Sequence, residues 1–245
     1  NSNNNLTNDI FSKNLTVIGS LAFEKCKNIT SVICGNNTTT IENSAFSHCE
    51  NLTSVVIGNN VTTIENSAFY GCINLRNLTL GNNLREIGSN AFSGCTSLTD
   101  IIIPDSVILI DWYTFSDCTN LKNVTIGNGV THIGRLAFKN CHSLENLSLG
   151  NSINTIDYGA FINCEKLLSV TIGPQVTTIG ENAFKGCKSV TSIVIPDSVT
   201  SIGRYAFCGC NSLTSIIIPD GVTSIGDNAF SGCSSLTSIT ISDSV

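Results

Sequence analysis

The sequence predicts an α/β solenoid. It is a right-handed superhelix of about ten 23-residue turns, with a parallel β-sheet on one face and short helices or 3₁₀ turns on the other. Three observations predict it. Cys26, Cys49, Cys72, Cys95, Cys118, Cys141, Cys164, Cys187, Cys210 and Cys233 each follow the last by 23 residues. A Phe stands three residues before each, from Phe23 to Phe230, and no insertion or deletion breaks the register. Charged residues make up only 12% of the chain against 41% hydrophobic. That balance suits a long, thin core to which every turn contributes the same apolar positions. Length therefore counts turns rather than domains, and residues 1–245 read as one array.

The unit Val61 to Leu84 justifies each element. Val61-Thr62-Thr63-Ile64 is a short extended piece. Ile64, Ala68, Phe69, Cys72 and Leu75 follow at gaps of three or four, which predicts a short helix or 3₁₀ turn. Gly88, Gly134, Gly180, Gly203 and Gly226 stand just before the equivalent segment in other turns and mark a bend into it. Leu78 and Leu80 then alternate with Asn77 and Thr79, the period of a strand with one buried face. Gly81, or Pro104, Pro196 and Pro219 elsewhere, ends the strand and turns the chain. No single unit can bury its own apolar face. Stacking at about 4.8 Å per turn solves this and gives a body roughly 50 Å long.

This reading excludes several classes. The mean hydropathy is +0.22, yet the longest apolar runs are short, such as Val107 to Ile110. A membrane-spanning helix needs about 20 apolar residues. Net charge is −6 with no basic cluster, so a nucleic-acid footprint is absent. The cysteines at equivalent sites point to a ladder of buried thiols, because pairing them two by two would break the repeat. A partial disulfide pattern or a metal site are the alternatives. Only Cys208 and Cys210 approach metal-ligand spacing, and no His adjoins them. Cys208 sits where other turns carry Ser, Tyr or Lys, which predicts one exposed thiol. His48, His132 and His142 fall in three different columns of the repeat, and no nucleophile motif occurs. The expectation is a non-enzyme without cofactor.

The spacing Leu75-x-x-Leu78-x-Leu80 is the strand signature of a leucine-rich repeat. The segments Ile179 to Cys187, Ser224 to Phe230 and Ser212 to Pro219 resemble the BspA-like class of these repeats, across essentially the entire chain. That resemblance implies a cell-surface or secreted protein of bacteria or parasitic protists. It also implies a role in adhesion to host proteins or other cells. Local departures are Thr38 for Val, Cys34 for Ile, Thr114 for Ala, and Ile29 and Val190 for Leu. The piece from Leu6 to Gly19 matches half a unit and Val245 stops mid-unit. Neither end shows a polar cap, so the array reads as a fragment of a longer chain, or as one that associates end to end.

Columns of equivalent residues locate candidate binding faces. The outward strand column includes Ile102, Thr171, Val194, Ile217 and Thr240. It is flat, rich in hydroxyls and partly aliphatic, and suits a protein or glycan on another cell or matrix. A second column, three residues before each Phe, places Trp112, Arg135 and Tyr158 on consecutive turns, with Tyr113 and Tyr205 in the adjacent column. Trp, Tyr and Arg are enriched in interface hot spots, and Arg between aromatics can make cation–π contacts. N-glycosylation sequons fall at Asn5, Asn14, Asn28, Asn36, Asn37, Asn51, Asn60, Asn77, Asn123 and Asn146. Glycans there would leave the C-terminal half as the freer face. The alternative functions are a structural spacer that projects another domain, or an intracellular interaction scaffold.

Overall fold

The computed structural model describes residues 9–10 and 15–242. Asn5, Asn14, Val245 and half of the unit from Leu6 to Gly19 therefore lie outside the described residues. The rest is a parallel β-solenoid in which each residue stacks on its equivalent 23 positions away, as Thr40 on Thr63 and Ile41 on Ile64.

Each turn visits three sides. A narrow side carries ten two-residue strands, from Val17–Ile18 to Ser224–Ile225, joined in one unbroken parallel ladder. The Ile of each strand points into the core and its partner faces out. A broad side carries strands of three or four residues, such as Ser54–Val56 and Asn123–Ile126. Their pairing is interrupted three times. The breaks follow Asn77–Thr79, Asn146–Ser148 and Ser192–Val194. Two of these turns point Leu inward at both strand positions, Leu78 with Leu80 and Leu147 with Leu149, where the others use mainly Ile or Val. Leu lacks the β-branching that favours strands, and Leu78, Leu147 and Leu149 are only half-buried.

The third side corrects the sequence reading. No helix forms among the described residues. Between Ile64 and Leu75 the chain makes consecutive tight turns whose amides alternate in their targets. Tyr70 and Cys72 donate locally, to the carbonyls of Ser67 and Phe69 at 3.0 and 3.3 Å. Phe69 and Gly71 instead donate to Ala91 and Ser93 of the next turn, both at 2.8 Å. An α-helix would keep every such bond within the segment. Here the corner is a third hydrogen-bonded face of the stack. The alternation needs left-handed backbone two residues before and two after each Phe, as at Ser67 (φ 57°) and Gly71 (φ 69°). Gly88 does not bend the chain into a helix either. A Cβ there would lie 2.7 Å from the Asn66 nitrogen, so glycine is required because the preceding turn passes so close.

The core is a set of columns. Neighbouring Phe rings stack at 5.1–5.6 Å between centroids, nearly parallel, from Phe23 to Phe230. Burying each ring contributes about 1.5–3 kcal/mol before entropy, and the stack adds about 0.5–1.5 kcal/mol per pair. The Cys column explains itself chemically. From Cys49 onward each thiol of the column donates to the carbonyl of the Phe 26 residues earlier, as Cys72 to Phe46 at 3.2 Å and Cys164 to Phe138 at 3.3 Å. A small apolar side chain with one weak donor fits this spot. The departures from the repeat are absorbed locally. Buried Thr38 donates to the Leu15 carbonyl at 3.0 Å and buried Thr114 to that of Asp111 at 2.8 Å.

Candidate functional site

All twelve cysteines are free thiols. Burial pushes Cys34 up to about 12 and Cys49 to about 11, and Cys95, Cys118 and Cys164 are raised further. These are poor nucleophiles and poor ligands. Cys208 is half-buried, but so are Cys26 and Cys233 near the ends of the array, so it is not the single accessible thiol. Among the described residues no group of three His, Cys, Asp or Glu is placed to hold a metal ion, and no helix is long and apolar enough to cross a membrane. The three His stay apart. His48 packs edge-on to Tyr70 at 5.1 Å, while His132 and His142 lie 3.8 and 3.9 Å from Asp157 and Glu165. Glu165 also accepts from Lys188 at 3.0 Å, and that bond holds its carboxyl below the usual range.

What the array offers is surface. On the broad side every second strand residue faces out. Ile102 is 71% exposed, Ile217 68% and Val194 56%, and Thr171 and Thr240 are exposed as well. Breaks in the sheet pairing divide these five residues. Ile102 lies in one hydrogen-bonded group, Thr171 and Val194 in a second, Ile217 and Thr240 in a third.

At the corner the Arg135 guanidinium lies 4.5 Å over the Tyr158 ring. Trp112 is 54% exposed on the turn before. Its ring leans toward Gly134, where an added Cβ would meet Trp112 Cδ1 at 3.2 Å. The chain holds both aromatics the same way. The backbone N–H of Trp112 donates to Asp111 Oδ1, and that of Tyr158 to Asp157 Oδ1, each at 2.6 Å. Tyr113 and Tyr205 occupy the left-handed column, at φ 57° and 55°, and both are half-buried. Tyr205 forms a separate centre, with Lys185 and Arg204 at 5.1 and 4.9 Å from its ring. The structure thus brings Trp112, Arg135 and Tyr158 together and keeps Tyr205 apart.

Two of the sequon amides on the broad side are engaged. Asn123 donates its amide to Asp100, and Asn146 donates to Asn123 at 2.7 Å. The bonds from Thr99 and Asn123 hold the Asp100 carboxyl below its ordinary range. Sequence reasoning missed the narrow side. Its two outward columns carry mainly Thr and Ser, but Ile108 and Leu109 at one turn, both exposed. The run Val107 to Ile110 was legible only as too short for a membrane, although reading it by column singles out that turn.

A family described as the BspA type leucine rich repeat region matches the chain in six copies, over residues 1–107, 86–210 and 177–245. A leucine-rich repeat protein from Bacteroides ovatus is similar at 28% identity and TM-score 0.63, over 96% of this chain and 72% of that one. One from Eubacterium ventriosum aligns at 25% identity and TM-score 0.59, over 90% and 62%. A leucine rich cell surface protein from Faecalibacterium prausnitzii shares the fold at 23% identity and TM-score 0.51, over 87% and 88%. No curated protein matches the chain.

Proposed function

Since this chain belongs to the BspA-type leucine-rich repeat family, we propose that it is a non-enzymatic binding module of a cell-surface or secreted protein. It recognises proteins or glycans of another cell or matrix through its repetitive faces. The observation that carries this reading is where the bulky side chains lie. A surface made mostly of Thr, Ser and Asn exposes Ile102, Trp112, Val194 and Ile217, and holds an Arg135–Tyr158 pair beside Trp112. Exposed aromatic, aliphatic and Arg groups on a rigid support are what interface hot spots are made of. The parallel stack keeps them at fixed spacing without an ordering cost on binding. The test is a binding screen of the chain against extracellular-matrix proteins and glycan arrays, repeated with Trp112→Ser combined with Tyr158→Ser. The reading expects a ligand whose affinity drops at least about tenfold in the double variant. A blank screen, with the array folded, supports a spacer instead.

A further inference from the structure

We propose that the groove on the narrow side that crosses Thr63–Ile64, Glu86–Ile87 and Leu109 docks an extended polypeptide segment in which lysines or arginines alternate with apolar residues. This rests on the binding-module reading above and names the chemistry of one partner.

The groove has a volume of about 570 Å³. That suits a few side chains of an extended segment rather than a globular surface. Its wall is the turn whose outward residues break the pattern of their columns. Ile108 is 55% exposed where most turns carry Thr, and Leu109 is 39% exposed in a column of Thr, Ser, Glu and His whose other apolar member is Val17, near the start of the array. Nothing in the stack needs these two side chains to be apolar, because the core of this turn is already filled by Val107 and Ile110.

The electrostatics select the partner. Glu65, Glu86 and Asp111 border the groove and Arg85 is its one cation. From residue 86 to 121 the chain carries Glu86, Asp100, Asp105, Asp111 and Asp117 and not one Lys, Arg or His. Among the described residues none of these carboxylates, nor Glu65, forms a salt bridge. Neutral donors hold them instead: the Asn43 amide on Glu65 at 2.7 Å, and the Trp112 N–H on Asp111 at 2.6 Å. An apolar floor with unneutralised acidic rims repels anionic glycans and a second copy of this acidic chain. It attracts cations.

The test is fluorescence anisotropy of the intact chain with a labelled peptide of about a dozen residues alternating Lys and Leu. Its counterpart alternates Glu and Leu. Variants replace groove residues by types their own columns carry elsewhere: Ile108→Thr with Leu109→Thr, and Glu86→Thr alone. Circular dichroism verifies that they fold. The Lys peptide should bind, weaken as salt rises, and lose at least about tenfold in the Ile108→Thr, Leu109→Thr variant. Glu86→Thr should flatten the salt dependence. Equal binding of both peptides, or undiminished binding by the apolar variant, overturns the proposal. So does a dimer in sedimentation that Leu109→Thr dissolves. A chain that captures a matrix protein or glycan in the wider screen yet ignores the Lys peptide sinks this proposal and leaves the binding-module reading standing.

Discussion

Raising the pH above 9 should unfold this protein through its thiol column. The ordinary thiol value is 9.0, and burial pushes Cys34, Cys72, Cys95, Cys118, Cys164 and Cys210 well above it. Below pH 9 these groups are neutral in both the folded and the unfolded chain, and their contribution to stability is fully present. Above pH 9 only the unfolded chain releases their protons, so stability falls as pH rises toward the folded values. Each thiol costs about 1.4 kcal/mol per pH unit over that window. The six together remove roughly 8 kcal/mol by pH 10, against a typical domain stability of about 5–15 kcal/mol. A cooperative transition should therefore appear at about pH 10–11, followed by far-UV circular dichroism and Trp112 fluorescence. Replacing Cys118 and Cys164 with Ser keeps a donor for the Phe92 and Phe138 carbonyls and removes two titrating groups. The transition should move to higher pH and its slope should fall by about 1.4 kcal/mol per unit for each thiol removed. An array that stays folded past pH 11.5, or a midpoint unmoved by the Ser substitutions, would refute the argument.

Phe138 has a stacked ring on each side, at 5.3 and 5.2 Å, whereas half-buried Phe230 has one, at 5.4 Å. Phe138→Ala should cost about 3–5 kcal/mol and split urea unfolding into two phases, because turns couple mainly to their neighbours; Phe230→Ala should cost clearly less and leave one phase. A Cβ on Gly129 would sit 1.8 Å from the Asp105 carbonyl oxygen, while one on Gly173 would meet the Gly150 oxygen at 3.2 Å. Gly129→Ala should therefore destabilise by more than about 2 kcal/mol and Gly173→Ala by much less, as read from thermal midpoints. In the native state a thiol reagent should label Cys26, Cys208 and Cys233 quickly, and the nine buried cysteines only on unfolding.

The period, the strand columns and the core residues were legible because stacking forces the same choice at every turn. The corner was not. Ala68, Phe69, Cys72 and Leu75 have gaps that fit a helix, and spacing alone does not say where their amides donate. A different signal was present. The column two residues after each Phe reads Lys25, His48, Gly71, Gly94, Asp117, Asn140, Asn163, Gly186, Gly209 and Gly232. Gly, Asn and Asp are the residues that most readily adopt left-handed backbone. A left-handed residue in every turn is incompatible with a helix there, and all ten positions have positive φ. The candidate surface was half legible for a related reason. On the narrow side two-residue strands offer too little alternation to separate inward from outward positions, so the inward Ile column is legible while Leu109 shows only when its column is aligned turn by turn.

The uniform 23-residue offset of the pairing also has a genetic consequence. Inner turns meet equivalent positions on both neighbours, so an unequal crossover between two repeats adds or removes whole turns and keeps the remaining turns in register. Any other deletion shifts all downstream residues out of column. Alleles of such a gene should differ in length by whole repeats. A feature confined to one turn, such as Ile108 and Leu109, can then be duplicated or lost in a single recombination event without disturbing the fold that displays it.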